Sequence, residues 1–188
     1  MQTTNGFTLI EALVSLVIIG VVGFILADLM TRSFQGSSKT ALLGTVKQNG
    51  QTAMNILDSK IRNADLVLCS TNQVLVIQDT NSNLNRFYFG SPPTPTSLSQ
   101  DSPTKNADPQ YDPTQYCNLA LGPATSAQSL TDTSAVSIIG GKFDRNNQRG
   151  FKDSITISFK VVPANAGIGF SDQLGGDGVL FQTTINLR

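Results

Sequence analysis

Hydrophobic and polar residues follow three different patterns along this chain. From Phe7 to Ala27 there is no polar period: Phe-Thr-Leu-Ile-Glu-Ala-Leu-Val-Ser-Leu-Val-Ile-Ile-Gly-Val-Val-Gly-Phe-Ile-Leu-Ala carries one charge, Glu11. As a helix this run rises ~31 Å, close to the ~30 Å hydrocarbon thickness of a bilayer. The second pattern is helical and one-sided. Leu42, Val46, Ala53, Leu57, Ile61, Ala64 and Leu68 recur in steps of three, four and seven, with Lys47, Gln51, Asn55 and Asp58 off that face. The two patterns predict one helix from Phe7 to about Asp65, ~88 Å long, apolar in its first half and amphipathic in its second. Gly36, Gly44 and Gly50 each weaken it by ~1 kcal/mol relative to Ala, so a bend or break is expected near Gly36-Ser-Ser. Gly20 and Gly23 let neighbouring helices approach, and Gly23 with Ala27 makes a small-xxx-small step.

The third pattern has a period of two and predicts strands. Leu66–Leu68, Gln73–Gln78 and Leu84–Phe89 are the first three, with Asn81-Ser-Asn83 as a hairpin loop between the last two. Ala135–Ile139 precedes Gly140-Gly141, read as a turn. Ser154–Val161 puts Ile155, Ile157, Phe159 and Val161 on a core face and Thr156, Ser158 and Lys160 in water. Val179–Leu187 repeats this with Val179, Phe181, Ile185 and Leu187, after a glycine-rich loop from Asn165 to Gly178. Between the strand groups, residues 91–133 hold Pro92, Pro93, Pro95, Pro103, Pro109, Pro113 and Pro123 among Ser, Thr, Asp and Asn. That composition cannot bury enough apolar surface to order itself and is expected to be a long exposed loop, anchored at Cys117 between Tyr111, Tyr116 and Leu119. The expected class is α+β: a long N-terminal helix, transmembrane in its first half and amphipathic in its second, packed on an antiparallel sheet of about five or six strands with a long Pro-rich loop.

Charge and composition remove several function classes. The formal net charge is zero with a pI near 6.1, against a dedicated nucleic-acid binder. There is no His, so the commonest general base and metal ligand are both missing. No Gly-x-Ser-x-Gly element is present, and neither enzymatic activity nor a cofactor is expected. Asp144-Arg-Asn-Asn147 and Asp172…Asp177 supply oxygen atoms for calcium, but neither has EF-hand spacing, and such loops are more often plain turns; no metal ligand is assigned. Lys142, Arg145, Arg149 and Lys152, interleaved with Phe143 and Phe151, are placed to touch a phosphate backbone. Asp144 and Asp153 cut that field, and a solvated hairpin tip is the expectation. Cys69 and Cys117 fall outside the apolar run. In a translocated domain they read as a disulfide closing a long loop, worth ~4 kcal/mol; in a reducing compartment they would be two thiols.

Glu11 is the only glutamate in the chain. A carboxylate in lipid costs roughly 2.5–3.5 kcal/mol at mid-span and less near the interface, so its position calls for a partner. A conventional cleaved signal needs a basic start and small residues at the cut, and Met1–Asn5 has neither Lys nor Arg. A simple anchor leaves Glu11 unexplained, and a buried core helix would be shorter.

Gly6, Phe7, Thr8-Leu9-Ile10 and Glu11, at the fifth position after the glycine, resemble the type III signal of the type IV pilin and pseudopilin family. The resemblance implies that a prepilin peptidase cuts between Gly6 and Phe7 and methylates the new Phe7 amine. It implies that Glu11 neutralises the N-terminus of a neighbouring subunit in a filament. It divides the chain into a leader (1–6), a transmembrane and filament-core helix (7–28), and an extracytoplasmic α+β domain (29–188). Implied partners are other pilin or pseudopilin subunits through the N-terminal helix, the peptidase and an inner-membrane assembly platform. The implied location is a single-pass inner-membrane protein with its C-terminal domain outside the cytoplasm, then a pilus or pseudopilus. Family filaments also unwind the helix locally near Gly20 and Gly23. The missing basic residue before Gly6, and Asp28 where major pilins often carry proline, lean toward a minor subunit. The passage from Leu57…Ala64 into short strands looks like the larger minor pilins and J-type pseudopilins. The expected function is a structural subunit that joins or primes a type IV pilus-like filament in a pilus, secretion or competence system. The alternative is a filament-tip binding module for DNA, a surface or secreted cargo.

Overall fold

The computed structural model describes residues 8–90, 97–104, 112–118, 127–147, 153–164 and 178–187. The chain divides into two units, Met1–Leu43 and Gly44–Arg188. Helix α1, Leu9–Arg62, contributes to both and runs without a break, so the interruption expected near Gly36 does not occur. A glycine costs a helix ~1 kcal/mol, and that is too little to end one whose neighbours all propagate it.

In the first unit, α1 exposes its apolar side chains almost entirely. Leu9, Ile10 and Phe24 are 82%, 72% and 77% exposed.

In the second unit, one face of α1 is covered. Val46, Gly50, Ala53, Met54, Leu57 and Ile61 are buried there, the spacing of a single helical stripe. Asp58 and Arg62 pair one turn apart on the exposed side. Among the described residues eight strands follow Arg62: β1 (Ala64–Ser70), β2 (Val74–Asp79), β3 (Leu84–Phe89), β4 (Leu98–Asp101), β5 (Gln128–Ser129), β6 (Val136–Asn146), β7 (Ser154–Pro163) and β8 (Val179–Asn186). All pairings are antiparallel. The α+β arrangement is therefore as expected. In place of one sheet of about five or six strands there are two, ordered β1-β2-β3-β4-β5 and β6-β7-β8.

Both sheets share one core with the helix. Leu75, Ile77, Phe87, Phe89 and Leu98 from the first meet Ile138, Phe143, Ile155, Ile157, Phe159 and Val161 from the second, over Ala53, Leu57 and Ile61 of α1. Aromatic rings link the layers: Phe89 and Phe143 have centroids 4.7 Å apart, and Phe159 and Phe181 stack at 5.6 Å. Phe181 lies directly against Gly50, where any Cβ would enter its ring. Gly50 is thus a packing position, where the sequence reading saw only a weak point.

Two further differences follow from non-local contacts. Gly140-Gly141 is a bulge within β6. The register moves from Ile139↔Lys160 to Lys142↔Ser158, Gly140 takes φ 64°, and Gly141 lets the Phe89 ring seat against the strand. The sequence between 91 and 133 is also not loop throughout. Leu98–Asp101 forms β4 with Leu98 fully buried, Pro113–Cys117 forms a 3-10 turn, and Gln128–Ser129 forms β5. Pro92, Pro93, Pro95, Pro109 and Pro123 lie outside the described residues, as do Tyr111 and Leu119.

Candidate functional site

The N-terminal end of α1 carries the first candidate site. Backbone N–H groups of Glu11 and Ala12 donate to the Thr8 carbonyl at 3.1 and 3.2 Å, which makes Thr8 the residue that starts the helix. Glu11 falls in the first turn, where the positive end of the helix dipole favours a carboxylate. Its side chain is exposed, and among the described residues no cation lies within ion-pair distance of it. Gly6 and Phe7, the expected cleavage and methylation positions, lie outside the described residues. Further along, Ser15 and Thr31 return their hydroxyls to the carbonyls of Glu11 and Ala27, at 2.8 and 2.9 Å. That removes two polar hydrogens from an apolar surface. Asp28 and Arg32 pair at 2.9 Å at the polar end of the run. The helix is long and apolar enough to cross a membrane.

The second candidate is the outer face of the five-stranded sheet. Cys69 and Cys117 form a disulfide with Cα atoms 6.1 Å apart. The bulge between Val67 and Cys69 in β1 turns Cys69 to that face. Val67 pairs with Ile77 and belongs to the main core, whereas Cys69 pairs with Val76 and joins a separate cluster with Val74, Leu84 and Tyr116. Arg86, opposite Asp101 in register, lies under the turn that Cys117 ends. Its Nε and Nη2 donate to the two Asp101 carboxylate oxygens at 2.8 and 2.6 Å, and Nη1 donates to the carbonyls of Tyr116 and Asn118 at 3.3 and 3.4 Å. Both charged side chains are buried, 1% and 0% exposed. The carboxylate raises the Arg86 pKa further, while burial, and then the Asp101 charge, raise that of the Tyr88 phenol. Neither Arg86 nor Asp101 stands in a motif of the sequence. The only local signal for the turn is Asp112-Pro113, in which Asp112 caps the N–H of Thr114 and proline takes the first helical position.

The remaining sequence candidates are dispersed. Phe143 is buried, Lys142 pairs with Asp144 at 3.5 Å, and Arg145 pairs with Asp153. Lys142 and Arg145 therefore belong to β6 rather than to a hairpin tip, and each faces an acid. Arg149, Phe151 and Lys152 lie outside the described residues, as do Asp172 and Asp177 of the calcium candidate. Among the described residues no three His, Cys, Asp or Glu side chains come together as a metal site.

An uncovered apolar helix leading from the N-terminus into an oxidised α+β domain fits a membrane-anchored protein. Comparison with known families gives the signal its identity: residues 1–27 match the family described as the prokaryotic N-terminal methylation motif. The chain thus carries the type IV pilin-like N-terminal signal. No curated protein and no solved structure matches the chain.

Proposed function

We propose that this chain is a minor pilin or pseudopilin, a structural subunit that joins or primes a type IV pilus-like filament. The observation that carries the reading is the methylation motif over residues 1–27, which from Leu9 onward coincides with a helix whose apolar surface its own unit leaves uncovered. Residues 1–6 are a leader, removed by a prepilin peptidase between Gly6 and Phe7, and the new Phe7 amine is methylated. Residues 7–28 cross the inner membrane and then pack in the filament core, with residues 29–188 outside the cytoplasm. Partners are other subunits of the same class and an inner-membrane assembly platform. The role is structural rather than catalytic.

Glu11 gives this reading its mechanism. A carboxylate and an ammonium group brought to ~4 Å in a low-dielectric bundle attract far more strongly than in water. Each then offsets the other's desolvation cost. A subunit without the acid would leave a neighbour's amine buried alone. Glu11→Val is therefore expected to be cleaved normally and to enter filaments poorly, as read by immunoblots of membrane and sheared-filament fractions. Normal entry of that variant would remove the charge-pairing mechanism. The ion pairs of Lys142 and Arg145 favour no phosphate contact at β6, so no tip-binding role is assigned there.

A further inference from the structure

The outer face of the five-stranded sheet is apolar at its centre, with Val74, Val76 and Leu84 buried there around Cys69. A sheet face of this kind is normally covered by a helix or a second sheet. Here a short segment covers it: Asp112 to Asn118, containing the Pro113–Cys117 turn with Tyr116 buried. Among the contacts that tie this segment to the sheet, only the Cys69–Cys117 bond is covalent. The Arg86 Nη1 contacts to the carbonyls of Tyr116 and Asn118 sit at the long end of the hydrogen-bond range. A single turn is too short to hold itself in place by its own backbone bonds.

We propose that residues 112–118 are a strap whose closure over Arg86 and Asp101 depends on the oxidation state of Cys69 and Cys117. In the closing step the two thiols give up two protons and two electrons to the disulfide of a thiol-exchange oxidant. That disulfide becomes a dithiol as the Cys69–Cys117 bond forms; a dithiol reductant reverses the step. Opening does not strand a charge, because Arg86 keeps both bonds to Asp101 and water replaces the two carbonyls. The core shared by α1 and the two sheets lies on the other side of β2 and β3 and does not need the strap. The strap therefore opens locally, uncovering Val74, Val76 and Leu84 beside a hydrated ion pair, and the domain presents a different face in a reducing compartment than in an oxidising one.

Hydrogen exchange read by mass spectrometry on the full-length protein in detergent tests this. After reduction with a phosphine, checked by thiol alkylation, amides of residues 114–118 are expected to exchange at least about ten-fold faster, approaching unprotected rates, while those of β7 stay protected. Susceptibility to chymotryptic cleavage after Tyr116 should appear in step, and re-oxidation with oxidised glutathione should restore both exchange protection and resistance to cleavage. The Cys69→Ser/Cys117→Ser double variant should reproduce the reduced pattern with a folded core. Unchanged exchange at 114–118 in protein shown to be reduced would overturn the proposal. So would loss of protection in β7, or a double variant that does not fold, since either makes the bond a support of the whole domain.

Discussion

Within α1, the residues up to Leu43 and those from Gly44 onward have similar helix-forming sequences and opposite surroundings. Before Leu43, large apolar side chains such as Leu16, Ile19 and Phe24 stand 71%, 69% and 77% exposed. After Gly44, Leu57 and Ile61 are fully buried beneath two sheets. Burying one such side chain stabilises by roughly 1.5–3 kcal/mol. The second stretch realises that gain within its own chain, and the first leaves it for lipid or for other helices. An uncovered apolar surface is ordinarily a liability in a soluble protein and is expected only where another apolar phase receives it. The contrast teaches that the two stretches serve different partners: the chain itself for one, its environment for the other.

That contrast can be broken most severely on the covered side. Arg86→Met leaves the Asp101 carboxylate buried without its cation and should cost about 3–5 kcal/mol, measured by denaturant unfolding in detergent with exchange protection of β3 and β4 as readout. Leu57→Ala, which empties a fully buried position, should cost about 2–5 kcal/mol in the same assay. Leu16→Ala should stay within about 0.5 kcal/mol, because nothing in its own unit packs on it. Equal effects from Leu57→Ala and Leu16→Ala would abolish the distinction between the two stretches.

Two glycines sharpen it further. Nothing lies within 4 Å of a Cβ added at Gly36, so Gly36→Ala should stabilise the helix by up to about 1 kcal/mol. At Gly50 the Phe181 ring occupies that space, and Gly50→Ala should destabilise by about 1–3 kcal/mol despite the same gain in helix propensity. Opposite signs for one substitution in one helix would show that packing overrides propensity only after Gly44.

The smallest effect is a pH dependence of the covered unit. Asp79 is held below the usual carboxylate range first by the backbone N–H of Asn83, Asp112 by that of Thr114, and Asp132 by the side chain of Ser134. Because their folded pKa values are lowered, their contribution is present above the unfolded value of 3.8 and is lost as pH falls through the folded values. Thermal midpoints should therefore be flat near neutrality and fall below about pH 4. Asp79→Asn should take away part of that fall.

The candidate signal was legible because it is contiguous: Gly6 to Glu11, followed by an apolar run, can be read without knowing what folds against it. The same holds for β7, whose Ile155, Ile157, Phe159 and Val161 alternate cleanly and are all buried. What escaped the reading depends on residues distant in sequence. Leu98-Ser-Gln-Asp101 has the composition of a loop and becomes a strand because Asp101 meets Arg86 and Leu98 meets the core. Gly140-Gly141 has the composition of a turn and becomes a bulge because Phe89 needs the room. The disulfide was legible as a pair of cysteines. The face on which it closes was not, since a bulge between Val67 and Cys69 sends the two side chains to opposite faces.

Mass spectrometry of the mature N-terminus, on protein isolated from the cell that makes it, tests the central claim most directly. The account predicts a chain beginning at Phe7 with one methyl group on its amine. A chain that keeps Met1, or one that begins at Asp28 with the apolar run removed, would contradict it.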